Sequence, residues 1–192
     1  MSKHRCAWAN PANPRYIDYH DQEWGVPCRD ELRLFEMLNL EGAQAGLSWE
    51  TILNKRDNYR QAFDQWDARK IAAYTPDKVA ELLANPGIVR NRLKVNAAIT
   101  NAQAYLRLLD EGSSLTQLLC SYVDGKPIVN RITAQGERPA RTELSDRISK
   151  DLSRRGFKFV GSTIIYAYMQ GIGMVNDHDL ACFRHQECQH GG

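Results

Sequence analysis

Leu34, Leu38 and Glu41 stand at i, i+4 and i+7, so one face of a helix carries two leucines and then a carboxylate. A stripe of that period is how a helix meets a core. An ionised carboxylate continuing it is costly to bury unless a cation or a set of donors meets it. An exposed Glu at a fraying helix end is the plainer alternative, and the residues that follow weigh against it. Gly42 and Gly46 let the backbone approach another molecule closely, while Leu47 and Trp49 stand where a solvated turn would be polar. The stretch from Glu41 to Trp49 therefore reads as a glycine-broken connection between two helices, presenting a carboxylate, a wedge-sized leucine and an indole.

Helical patterns dominate the rest, and no segment alternates as a sustained strand, so the spacing predicts an all-α chain. Asp30 caps a helix to about Glu41, Ser48 one to about Phe63, and Asp67 a short one. Thr75-Pro76 joins a cap to a proline at the first helical position, and Asn85-Pro86-Gly87 stops that helix. A long stripe from Ile88 to Leu109 is closed by Gly112, and Ser114 opens a further helix to about Val123. Residues 125–143 read as an extended loop. Helices from Ser145 to Gly156 and from Ser162 to Gln170 follow, and Asn176 or Asp177 caps a last short one. The whole reads as a single domain over 1–192. Its helical core spans roughly 30–183, its N-terminus (1–29) is irregular, and its tail (185–192) is disordered.

A hydrophobic share of 43% over 192 residues is enough for a real core. The net charge of +2 does not announce a nucleic-acid binder, so any basic surface must come from local clustering. No apolar run approaches the roughly 18 residues a membrane span needs, and the first residues carry no signal-peptide core. Five cysteines make an odd number for a disulfide framework, and a reducing cytoplasm, where they serve as thiols, ligands or core residues, fits best.

Three clusters carry chemistry. Cys6 and His20 near one end, with His178 and Cys182 near the other, make a Cys2His2 set that suits tetrahedral zinc. His178 and Cys182 are four apart, which on a helix places both on one face. His185, Cys188 and His190 are rival ligands, and isolated Cys and His are more often core or surface residues. Four protein ligands would leave no open position, making any zinc structural. The second cluster runs from Arg154 to Thr163. Gly156 ends one helix and Gly161 frees backbone N–H groups before the next, beside Lys150, Arg154, Arg155 and Lys158, a plausible phosphate grip. An ordinary helical hairpin with a solvated basic end has the same pattern. The third is aromatic: Trp8, Tyr16, Tyr19 and Trp24, with Trp49 following. Aromatic faces around one desolvated carboxylate make a receptor for a flat cation, although any one ring taken alone reads as core.

Four motifs together resemble one family. They are Tyr19-His20-Asp21-Gln22-Glu23-Trp24-Gly25, Leu40-Glu41-Gly42 through Gly46-Leu47-Ser48-Trp49, Arg155-Gly156-Phe157-Lys158-Phe159-Val160-Gly161 and Val175-Asn176-Asp177-His178. The chain looks like the bacterial 3-methyladenine DNA glycosylase I family of the helix-hairpin-helix superfamily, nearly end to end. The resemblance implies a helix-hairpin-helix fold and structural zinc on Cys6, His20, His178 and Cys182. It implies a base pocket using Glu41, Tyr16, Tyr19 and Trp49, to which the aromatic cluster adds Trp8. It implies that Leu47 with Gly46 enters the DNA at the lesion, and that the hairpin at Lys158, Gly161 and Ser162 holds phosphates. It implies double-stranded DNA carrying alkylated purines as the partner and a monomer acting on it, with hydrolytic removal of N3-methyladenine as the expected chemistry and Glu41 as the expected catalytic carboxylate. Many members of the wider superfamily carry a catalytic Asp where Asn176 falls, and Asp177, displaced by one, is expected to cap a helix. No Lys stands out as a Schiff-base nucleophile, so a strand-cleaving lyase step is not expected. Two other classes use parts of the same pattern: a non-catalytic DNA-binding module would explain Lys158 and Gly161 but not Glu41, and a metallohydrolase is disfavoured by a ligand set with no open position.

Overall fold

In the computed structural model, which describes residues 2–189, the chain is mostly helical. Its helices are α1 (Pro14–Gln22), α2 (Glu31–Ala43), α3 (Trp49–Asn54), α4 (Arg56–Ala62), α5 (Ala68–Ala72), α6 (Pro76–Leu83), α7 (Arg92–Asp110), α8 (Leu115–Ser121), α9 (Glu143–Arg154), α10 (Ser162–Gly171) and α11 (Phe183–Glu187). The caps at Asp30, Ser48, Asp67, Thr75 and Ser114 each accept a first-turn backbone N–H. The middle of the molecule is α2. From Leu34 to Ala43 every residue is buried, and the helix packs against α3, α7, α8 and α10. Beyond its first turn the helix has no solvent face, so Glu36 and Glu41, two of its three acids, are both carried into the interior. None of the described helices is long and apolar enough to cross a membrane.

Several expectations are corrected. The N-terminal segment is not wholly irregular, because α1 runs from Pro14 to Gln22. Asn13 accepts from Arg15 N–H and Pro14 sits at the first helical position, so the pair that reads as a breaker is a start signal. The helix expected from Ser48 to Phe63 is broken at Lys55 into α3 and α4. Thr142, not Ser145, caps α9, and Ser145 forms the other half of a capping box. Within the loop 125–143, β1 (Ile128–Val129) pairs in parallel with β2 (Val175–Asn176).

That pairing is continued by a bridge between Ile132 and Asp179, which lays residues 175–179 alongside the loop, with Leu180 N–H donating to Ile132 O at 2.8 Å. His178 and Cys182 therefore lie on an extended segment and turn, not one turn apart on a helix, and Cys182 is itself the N-cap of α11. Asp177 is no helix cap either. Its carboxylate is fully buried and accepts from Asn130 Nδ2 (2.6 Å), Tyr166 Oη (2.5 Å) and Gln170 Nε2 (2.8 Å). Of the tail expected to be disordered from 185, the described residues 185–189 are held. Phe183 N–H donates to His4 O, Asn176 Nδ2 donates to His185 O, and Cys188 is buried. His190, one of the rival ligands, lies outside the described residues.

Candidate active site

The last turn of α2 and the first of α3 bring Glu41 and Trp49 to one cavity of about 300 Å³. Trp8, Tyr16, Tyr19 and Trp24 form its other aromatic walls. Tyr19 and Trp49 meet with ring centroids 5.3 Å apart, and Trp8 lies 5.3 Å from Tyr16 and 4.8 Å from Trp24. The indole N–H groups of Trp8 and Trp49 are buried without a partner. Gly171 of α10 packs closely on two of these side chains, since a Cβ there would stand 3.0 Å from Tyr19 Oη and 3.4 Å from Glu41 Oε1.

Glu41 has no cation and no hydrogen-bonding partner among the described side chains, and desolvation alone pushes its carboxyl up to about 8. Burial, reinforced by Glu41, also holds the Tyr19 phenol well above its usual range, so that hydroxyl stays neutral. The arrangement is an aromatic slot with one electrostatically unfinished wall. A flat cation would supply what Glu41 lacks.

Four further residues line this cavity with no role expected from the sequence: Ala167 and the polar Gln44, Arg138 and Gln170. Gln44 follows Glu41 by three, a helical neighbour that the spacing alone could have found. Gln170 is oriented by Asp177. Arg138 comes from the loop 125–143, where no periodicity points to it. Its Nη2 lies 2.5 Å from Asp179 and its Nε donates to Asp177 O, while Nη1 is buried unpartnered.

Leu47 stands two residues before Trp49, and the hairpin leads into α10, whose Ala167 and Gln170 line the cavity. Gly46 adopts φ +80°, where glycine is favoured, and turns the chain so that Leu47 is 42% exposed. Lys94 of α7 donates to Ala43 O (2.8 Å) and Ala45 O (2.5 Å), pinning this loop. The helices α9 and α10 pack together as a helical hairpin. Gly156 (φ +96°) ends α9, with Phe157 N–H bonded to Leu152 O and Gly156 N–H to Ser153 O, a Schellman motif. Asn101 of α7 holds the turn by accepting from Lys158 N–H (2.7 Å) and donating to Lys158 O (3.2 Å). The Lys158 side chain is exposed. A Cβ at Gly161 would meet nothing within 4 Å, and its φ is −58°, so neither packing nor backbone strain inside the chain requires glycine there. Ser162 turns its hydroxyl to Ser145 at 2.7 Å and therefore offers the outside its backbone N–H.

The Cys and His residues from the two ends do meet. Ligand atoms of Cys6, His20 and Cys182 all lie within 4.8 Å of one another, and all three residues are buried. His178 is beside them, its ring centroid 5.1 Å from that of His20. Its Nδ1 is 3.0 Å from Asn176 Oδ1, and its Nε2 is buried with no partner. His20 Nδ1 is 2.8 Å from Asp21, itself held by Arg5, which leaves Nε2 as the ligand-ready nitrogen. Two thiols and two imidazoles oriented in this way are chemically suited to zinc. The rival His185 is engaged otherwise, with Asn130 O at 2.9 Å from Nε2 and Gln189 at 3.1 Å from Nδ1.

A helical fold whose central helix delivers an uncompensated carboxylate to an aromatic slot, beside a glycine-rich hairpin, defines a candidate base-binding enzyme. Comparison makes the class specific. The family model described as methyladenine glycosylase matches residues 8–185. DNA-3-methyladenine glycosylase 1 of Escherichia coli (strain K12) is 49% identical over 178 residues, covering 93% of this chain and 95% of that one. A crystal structure of 3-methyladenine DNA glycosylase I, 49% identical, superposes with a TM-score of 0.91 over 94% of this chain and 98% of the other. A variant of such an enzyme in complex with 3-methyladenine is 35% identical with a TM-score of 0.89, covering 93% and 96%. The chain belongs to the methyladenine glycosylase family. It is accordingly an enzyme, a hydrolase acting on N-glycosyl bonds, and its relatives indicate 3-methyladenine DNA glycosylase activity.

Proposed function

We propose that this protein takes N3-methyladenine out of duplex DNA by rotating the nucleotide into the Glu41 cavity and hydrolysing its glycosidic bond, with no lyase step. The observation that carries this is the pairing of a buried, unneutralised Glu41 with rings on several sides. N3-methylation makes the base cationic and weakens its glycosidic bond, because the base departs neutral. Little general acid is then needed. What remains is to find, extrude and hold the base. Trp49 stacks on it, Tyr16, Tyr19 and Trp8 close around it, and Glu41 accepts from its edge. Neutral adenine gains less from the carboxylate, which is the source of selectivity. Water then attacks the sugar. The cavity-lining residues include no lysine, in keeping with a monofunctional enzyme.

Leu47, exposed on its turn, fills the gap left in the duplex, as apolar wedges do. The α9–α10 pair acts as the helix-hairpin-helix element, with the backbone N–H groups at Gly161 and Ser162 and the Lys158 charge meeting phosphates. Zinc held by Cys6, His20, His178 and Cys182 would supply structure only, tying the N-terminal segment to the residues before α11. A monomer in a reducing cytoplasm suits such an enzyme, with all five cysteines free.

Incubating the protein with methylated duplex DNA and resolving the released bases tests the reading. Free 3-methyladenine is the expected product, and its absence rejects the assignment. Cys182→Ser is expected to lower bound zinc and melting temperature together. Equal metal content and an unchanged melt would remove zinc from the account.

A further inference from the structure

Leu93 is the most exposed of the large hydrophobic side chains described, at 71%, and it sits in the first turn of α7. Arg90 and Arg92 beside it are both exposed and make no ion pair among the described residues. A lone exposed leucine needs no explanation. A leucine set among unpaired guanidinium groups is a different case, because it offers an apolar contact where only a polyanion is electrostatically welcome. The next residue ties this turn to the loop already described: Lys94 Nζ donates to Ala43 O and Ala45 O. Allowing for the lysine side chain and two residues of chain, Leu93 and Leu47 lie within about 20 Å of each other. That is less than one turn of duplex, about 34 Å. The two exposed leucines can therefore bear on one stretch of DNA.

We infer that the first turn of α7 is a second duplex-binding element. In it Arg90 and Arg92 meet phosphates flanking the lesion, Leu93 packs on the sugar edge of the groove, and Lys94 holds this turn and the Leu47 loop as one unit. The inference rests on the reading of Leu47 as a wedge. It adds a contact surface that leaves the base cavity untouched, since none of these residues lines that cavity. The occupant is duplex DNA and not a second copy of the chain, because the flanking charges are all of one sign and would repel their own image across a two-fold axis.

The test uses the full chain and a fluorescent duplex bearing one stable abasic-site analogue, titrated at several salt concentrations. The double variant Arg90→Glu with Arg92→Glu is expected to weaken binding by about tenfold or more and to shallow the salt dependence by about two phosphate contacts. Leu93→Ser should weaken binding by about threefold with the salt slope unchanged. Lys94→Met should slow excision from duplex but not from single strands, and Lys94→Arg should restore it. All of these variants should bind free 3-methyladenine as the parent does and melt alike. Unchanged duplex affinity in the Arg90/Arg92 and Leu93 variants overturns the inference, as does a loss that free-base binding or melting shares. A change in sedimentation on Leu93→Ser without a change in DNA affinity overturns it in favour of self-association. If the parent protein releases no base, or Leu47→Ala leaves duplex binding intact, the underlying reading has failed instead.

Discussion

Glu36 and Glu41 stand a turn and a half apart on α2 and are equally buried, each 4% exposed, yet their surroundings are opposite. Glu36 is met by Arg56 at 2.8 Å and Arg60 at 2.7 Å, and Arg56 also pairs with Glu23 at 2.8 Å. Those guanidinium groups overcome the desolvation of Glu36 and hold its carboxyl below the ordinary range. Glu41 has only the desolvation, and its carboxyl rises to about 8. Burial alone therefore does not mark a functional acid. The mark is burial left uncompensated where a cavity allows a ligand to complete it.

Two substitutions bear directly on that contrast. Glu36→Ala leaves Arg56 with Glu23 alone and takes from Arg60 its closest carboxylate, and breaking one partner of a buried charge network costs up to about 3–5 kcal/mol. Chemical denaturation should show that loss while excision per folded molecule is unchanged. A fall in activity at full folding would break the division of labour. Glu41→Gln keeps the shape and removes the charge. Single-turnover excision should fall by about a hundredfold or more, with undamaged-duplex binding unchanged. Equal excision would make Glu41 another buried acid with no role in the reaction.

Much of the helical architecture is legible because its signals are local. Thr75-Pro76 and Ser114 announce helix starts within a few residues, and both cap as the pattern implies. Asn13-Pro14 is the same signal, obscured by the two other prolines and the glycine around it. The Leu34–Leu38–Glu41 stripe shows where Glu41 goes, but nothing near Glu36 shows that Arg56 and Arg60, twenty or more residues away, will neutralise it. That one buried acid is ionised against arginines while the other is left uncompensated is a tertiary fact. Arg138 is hidden for a related reason. It reaches the cavity from a loop placed by the β1–β2 pairing, and a two-residue ladder leaves no period in the sequence. The Cys and His chemistry is readable from residue type, whereas the meeting of Cys6 and His20 with Cys182 depends on both chain ends folding back.

The finest separation of the two acids is their pH dependence. Glu36, with its folded pKa depressed, contributes stability that is present above the unfolded value of about 4.3 and lost as the pH falls through the folded one. Glu41 runs the other way. Its folded pKa of about 8 lies above the unfolded value, so its contribution is complete in acid and disappears as the pH rises from about 4.3 through about 8. Relative to Glu41→Gln, the parent protein should lose at most about 1.4 kcal/mol per pH unit across that window. Denaturation of both proteins at pH 5, 6, 7 and 8 should therefore show the variant gaining ground steadily, the cost to the parent of keeping an acid ready for a cation. Excision should follow the same group. The kcat/KM for the cationic lesion should climb with pH toward about 8 as Glu41 ionises, and the Glu41→Gln profile should lack that limb. Parallel stability curves for the two proteins would place the Glu41 carboxylate in contact with a donor or cation after all, and the contrast with Glu36 would vanish.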